Sequence, residues 1–486
     1  MNIFKKKSLC AALAGMGALG ATGAAQAVNL NPDGLGQVLI YPYYTTRSDS
    51  AGNAFNSLLS VVNSTASVKA VKVRFLEGKN SREVLDFNVF LSGFDVWTAA
   101  LTPVAGGGTQ INTADKSCVL PFGQFPQTFR TGLLGADGAG NDLDRTTEGY
   151  VEIIEMTTYS DASTTAGKVT HDGGVPPGCA TLTAAEALAD SNSGAGILGG
   201  LFGGMTLINV QSGSDYTQDA VALDNFATFE NLYTGSADTL PDLASGSPPV
   251  SVTIADFGLV FTSDWSTSPN LADPVSAILM HDSIMNEFVL DAATDSGTDW
   301  VVTMPTKRFY VANGTGSASR LFQRNFNKTA GSCDDVSLDI FDREETTTST
   351  PLDFSPQPEA GVNQLCWEAN VVTFNNSNVL GSNNVANITT SFENGWLDIG
   401  FFPETVTGSV HTLDNDTTTF VDPTVSPPFV SGTGPATYFG LPIVGFAVQS
   451  FANGAITVGD QAVLSNYGGN FVHKGTRFVG GVILAQ

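Results

Sequence analysis

Apolar and polar positions alternate with period two along the early part of the chain. In residues 69–75, Val71, Val73 and Phe75 point one way while Lys72 and Arg74 point the other, the pattern of a half-buried strand. Leu85, Phe87, Val89 and Leu91 alternate in the same way with Asp86, Asn88 and Phe90. Further strands are expected at 37–41, 57–63 and 95–100, with turns at 63–66 and 77–80. Short strands separated by turns every ten residues or so predict a β-sandwich.

Beyond residue 115 the strand pattern thins but persists. Strands are expected at 149–156, 206–210, 252–262, 276–280, 287–290, 300–303, 308–311, 366–374, 388–392, 396–402, 438–450 and 477–484. A single helix is expected at 181–190, with Thr183 as N-cap and Glu186 completing a capping box. The pattern breaks at 102–115, which reads as a linker around Gly106-Gly107-Gly108, and again at 194–204, 245–249, 346–358 and 422–435. No fixed-period repeat is present, which argues against a propeller or a solenoid.

The leucine-rich strand at 58–62, Asn63, the valine strand at 69–75, the strand at 84–91 and Trp97 resemble the immunoglobulin-like modules of bacterial surface and periplasmic proteins. The whole chain is similar to uncharacterised exported proteins of Gram-negative bacteria. The resemblance implies a sandwich and brings no active site, and the Cys…Trp…Cys core of antibody domains is absent. The expected fold class is mainly all-β: an immunoglobulin-like β-sandwich module followed by one or two further sandwich-type modules with long loops and one short helix. The expected division is a signal peptide at 1–27, the sandwich module at 28–115, a central β-rich module at 116–345 and a C-terminal β-rich module at 346–486. The long loops fit equally well as insertions in one elaborated β domain.

The N-terminus changes the picture. Lys5, Lys6 and Lys7 precede a small-residue apolar stretch that ends at Ala25-Gln26-Ala27, the order of a secretory signal peptide with cleavage before Val28. The apolar run falls short of the roughly 20 residues a membrane helix needs, and no later segment reaches that length, so no transmembrane helix is expected after cleavage. Removing the peptide takes three lysines and no acid, so the net charge of −26 becomes −29. A chain this poor in basic residues is no nucleic-acid binder. Cleavage also removes Cys10 and leaves Cys118, Cys179, Cys333 and Cys366. An even count in an exported chain reads as disulfides. Of three pairings, local loop closure favours Cys118–Cys179 and Cys333–Cys366.

Catalytic motifs are scarce. Gly194-Ala195-Gly196-Ile197-Leu198-Gly199 matches the dinucleotide fingerprint in letters, but a helix precedes it and a strand follows, the reverse of what that fingerprint requires. No nucleophile elbow occurs, and His281-Asp282-Ser283 cannot make a triad among neighbours that point to opposite faces. The acidic loop Asp137, Asn141, Asp142 and Asp144 is a calcium candidate in oxygen content, although its spacing is not that of an EF-hand. The charges at Cys333-Asp334-Asp335 read as strand-edge groups. Trp97, Trp300 and Trp396 lie in strand patterns and read as core.

These readings point to an exported, non-catalytic cell-surface or extracellular structural or adhesive protein. Its expected partner is a surface or matrix protein or glycan, with self-assembly as a further expectation, and calcium is the one candidate ion. The alternatives are an outer-membrane β-barrel, which needs amphipathic strands of about ten residues flanked by aromatic girdles, and a secreted carbohydrate-binding or carbohydrate-active protein.

Overall fold

The computed structural model describes residues 26–49, 51–121, 125–228, 231–311, 321–347, 354–355, 363–402, 411–424 and 430–481. The expected signal peptide lies outside these residues up to position 25. The chain is mostly β, with 49% strand and 10% helix, arranged in antiparallel sheets of sandwich type.

Two sheets form the first half. The seven-stranded sheet runs in the spatial order Asn29–Leu30, Val221–Asp224, Val38–Thr45, Glu148–Thr158, Lys69–Glu77, Glu83–Leu91, Cys118–Leu120. The six-stranded sheet runs Ser214–Asp219, Leu201–Asn209, Asn56–Asn63, Val96–Pro103, Thr109–Asn112, Gln127–Thr128. Residues 28–115 supply only part of each, because Glu148–Thr158 and Leu201–Asn209 occupy interior positions. The expected linker at 102–115 is instead a hairpin, with Val96–Pro103 paired to Thr109–Asn112. Gly106, Gly107 and Gly108 form its tip with φ of 98°, 103° and 87°, a region that glycine enters without steric cost.

The inner faces of the two sheets meet in a core that includes Tyr41, Val73, Phe75, Phe87, Trp97 and Ile153. Lys69–Glu77 is buried along its whole length rather than half-buried. Its outward face is covered by later chain. Lys72 Nζ donates to the carbonyls of Gly235 and Asp238 at 3.1 and 2.8 Å, and to Asp86 at 3.0 Å. Around it, Ile40, Ile154 and Leu223 pack on Ile278 and Leu279, while Ala70, Phe90 and Met156 pack on Val169 and Ala187. The seven-stranded sheet is therefore covered on both faces.

The second half holds two five-stranded sheets, a six-stranded sheet and a short two-stranded pair. One five-stranded sheet runs Asn363–Leu365, Asp334–Asp342, Asn394–Gly400, Ser283–Val289, Lys474–Thr476. The six-stranded sheet is antiparallel except where Ala369–Phe374 pairs parallel to Val385–Ile388. Trp300, Val372 and Ala447 of this sheet face the second core, while Val301, Val371 and Phe446 join the first. One sheet thus seals both halves, and Thr303 Oγ1 donates across the seam to the Pro42 carbonyl at 2.7 Å. Among the described residues no sheet closes on itself.

The expected helix is present as Ala184–Ser191, with Thr183 Oγ1 accepting from Glu186 N at 3.2 Å. The reciprocal half of the box is replaced by an ion pair from Glu186 to Lys168 at 2.6 Å. Two expected strands are helical. Residues 276–280 fall mainly within the helix Asp273–Leu279, which starts on Asp273-Pro274 and is buried all round, and 308–311 is the short helix Arg308–Val311. A helix enclosed on every side carries no polar stripe, so its periodicity cannot be told from that of a buried strand. Two disulfides, Cys118–Cys179 and Cys333–Cys366, link the pairs favoured by loop closure.

Candidate functional site

Several charged side chains are enclosed and paired. Lys69 Nζ lies 2.7 Å from Glu155, both fully buried. Arg74 reaches Glu152 at 2.6 Å and Glu83 at 2.9 Å. Lys307 Nζ lies 2.7 Å from Asp334, with His411 Nε2 at 3.4 Å. Burial alone would raise the Asp334 carboxyl, but Lys307 and His411 hold it below the usual carboxylate range. Asp334 is thus an interior ion-pair partner and not a strand-edge charge.

The glycine loop binds an anion supplied by the protein itself. Glu155 accepts from the backbone N–H of Leu198 at 3.1 Å and of Gly199 at 2.8 Å, beside Lys69 and Thr158 Oγ1. Backbone N–H groups in a turn favour negative charge, and here they meet a carboxylate in place of a phosphate. Gly199 has φ of 72°, and a Cβ on Gly194 would lie 2.5 Å from the Thr158 carbonyl.

The calcium-candidate loop wraps an arginine. Arg145 lies 2.8 Å from Asp137 and 2.8 Å from Glu77, and donates to the carbonyls of Gly140 and Leu134 at 2.8 and 3.2 Å. Burial opposes ionisation of Asp137, but Arg145, the Ala139 N–H and Asn80 together hold its carboxyl below the usual range. Asp144 turns instead to Arg47 at 2.9 Å and to Asn383 at 3.1 Å. Asn141 and Asp142 stay exposed. The structure does not gather the four, and among the described residues no group of three His, Cys, Asp or Glu side chains converges to hold a metal.

The histidines are held by structural partners. His281 Nδ1 lies 2.9 Å from the Leu279 carbonyl and Nε2 lies 3.1 Å from Arg477, so burial and that guanidinium keep the ring neutral. Ser283 bonds Thr476 instead. His171, Ser92 and Asp95 do meet, but Nδ1 faces both Ser92 Oγ at 2.8 Å and Asp95 at 3.6 Å. A relay needs the two ring nitrogens on different partners.

Open surface is built otherwise. The outer face of the six-stranded sheet of the first half carries a trough of about 600 Å³. Small residues make its floor, with Gly204 opposite Ser60, Ser60 opposite Thr98, and Ala100 opposite Leu58. Phe202 and Leu58 stand at its sides, 42% and 40% exposed. Among the described residues, Asp219 is the only acid in its lining. Trp97, Trp265 and Trp300 are buried, but Trp396 is 40% exposed, against the core reading. Its signal lay in strand parity: Leu397 and Ile399 point inward, so Trp396 and Asp398 share the outer face. Comparison with family models, with curated proteins and with solved structures finds no match.

Proposed function

We propose that this chain is an exported, non-catalytic cell-surface or extracellular protein of structural or adhesive role, which holds a surface or matrix protein or glycan on its exposed sheet faces. The observation that carries this reading is the distribution of titratable groups. Glu155, Asp137 and Asp334 are enclosed and bonded to Lys69, Arg145 and Lys307, while the open trough is lined mostly by small, hydroxyl and apolar side chains, with Asp219 as its acid. Among the described residues, Lys69, Lys72, Arg74, Arg145 and Lys307 are buried together with Glu77, Glu148, Glu152, Glu155, Asp273, Asp299, Asp334 and Glu368, so nearly all of the net negative charge stays on the exterior. Such a surface repels itself and stays dispersed at low salt. Two disulfides suit an oxidising compartment.

Fractionation of the producing cells, followed by protease treatment of intact cells, tests this reading. Digestion of the chain on intact cells, or its recovery from the medium, is the expected result. A chain recovered whole from the cytoplasm overturns it.

A further inference from the structure

The outer face of the five-stranded sheet containing Asn394–Gly400 is ordered in three rows by its register. In the first row, Phe341, Trp396 and Glu287 lie directly opposite one another on adjacent strands. The two rings stack with centroids 4.7 Å apart and planes within 17°. The second row is Asp339, Asp398 and Met285, with Lys474 following on the next strand. The third is Ser337, Gly400, Ser283 and Thr476.

Packing explains the inward side of this sheet but not the aromatic and acidic rows of the outward side. Ile340, Leu397, Ile399 and Ile284 point into the core. An aromatic pair with Trp396 40% exposed adds nothing to that core. Two aspartates directly opposite each other on neighbouring strands are destabilising. Asp398 Oδ1 is enclosed and has no hydrogen-bond partner among the described residues. The carboxyl does accept a hydrogen bond from Ser283, so the acceptor of this pair open to a ligand hydroxyl is Asp339, which is exposed.

We propose that this face binds a neutral glycan, whose C–H faces stack on Trp396 and Phe341 while its hydroxyls bond Asp339 and Glu287. The proposal rests on the surface-protein reading above and names its ligand. Acids beside the rings exclude anionic polysaccharides and anionic lipid. The choice of a neutral over a cationic ligand follows from the rest of the face, since Lys474 stands in the acidic row and the adjoining row is hydroxyls. Burial, Asp339 and Asp282 raise the Asp398 carboxyl above its usual value against the hydrogen bond from Ser283.

The test is retention of the full mature chain on insoluble cellulose, chitin, starch and β-1,3-glucan, with polylysine beads as the cationic probe. Retention on at least one polysaccharide is expected. It should persist in about 0.5 M salt, where exposed ionic attractions are screened. It should weaken about tenfold or more in Trp396→Ala and less in Trp396→Phe. If Trp396→Ala loses its thermal transition, Asp339→Asn carries the same comparison. Retention by none of the polysaccharides, retention unchanged in these variants, or salt-sensitive retention on polylysine alone overturns the glycan site. Those results leave the surface reading standing if the chain is displayed on cells, whereas a cytoplasmic chain overturns the reading beneath it.

Discussion

Glu368 offers a quantitative test of the seam between the halves. It is 1% exposed, and among the described residues no cation forms an ion pair with either carboxyl oxygen. Lys307, Arg308, Glu77, Ser81 and Tyr150 surround it. Burial dominates and pushes its carboxyl from 4.5 up to about 8, with Lys307, a hydrogen bond from Ser81 and Arg308 only partly opposing. The folded state therefore holds a proton that the unfolded state has released between these two values. Stability from this group is complete below pH 4.5, falls as pH rises, and is gone above about 8. Over that window the loss is about 5 kcal/mol. Glu368→Gln keeps the shape and removes the titration. Urea unfolding followed by tryptophan fluorescence should give similar stabilities for the two proteins at pH 4. By pH 9 the variant should be the more stable by several kcal/mol, about 5 at the most. Other titrating groups cancel in this difference. A difference that stays flat from pH 4 to 9 refutes the enclosed, unpaired carboxyl.

Other predictions follow from the ion pairs, the glycine loop and the disulfides. Arg145→Met leaves Glu77 and Asp137 buried without their cation and should cost about 3–5 kcal/mol in urea unfolding. In the wild type, millimolar calcium should not move the thermal midpoint, because Arg145 already occupies Asp137. Gly199→Ala, at φ of 72°, should cost about 1–2 kcal/mol by the same measurement. No thiol should label before reduction and four should label after it. Breaking either disulfide, with sequence separations of 61 and 33, should cost about 4 kcal/mol.

Local pattern carried the strands of the first half well, because alternate residues of each strand pack into one shared core. It failed wherever chain distant in sequence returns to cover a second face. Lys72 looked solvent-facing, and the segment near Gly235 and Asp238 makes it interior. The same effect hid the helix Asp273–Leu279, which lies between elements on every side. The glycine loop was legible as a turn, but not as the clasp of a glutamate some forty residues earlier. For the acidic loop, composition suggested an ion. Arg145, adjacent to that loop in sequence, was the available clue that the cation is a side chain. At Trp396 the information was present in the alternation with Leu397 and Ile399, and a preference for burying tryptophan overrode it.

The most direct test of the account is the mass of the chain collected outside intact cells. Val28 is tied at both backbone groups, its N–H to the Val250 carbonyl at 2.8 Å and its own carbonyl to Val252 N at 2.9 Å, so the fold holds the chain in place from this residue on. The account predicts a mature chain that begins at Val28 and gains the mass of four hydrogens when its two disulfides are reduced. A chain found only inside the cell, still carrying residues 1–27 and with free thiols, contradicts it.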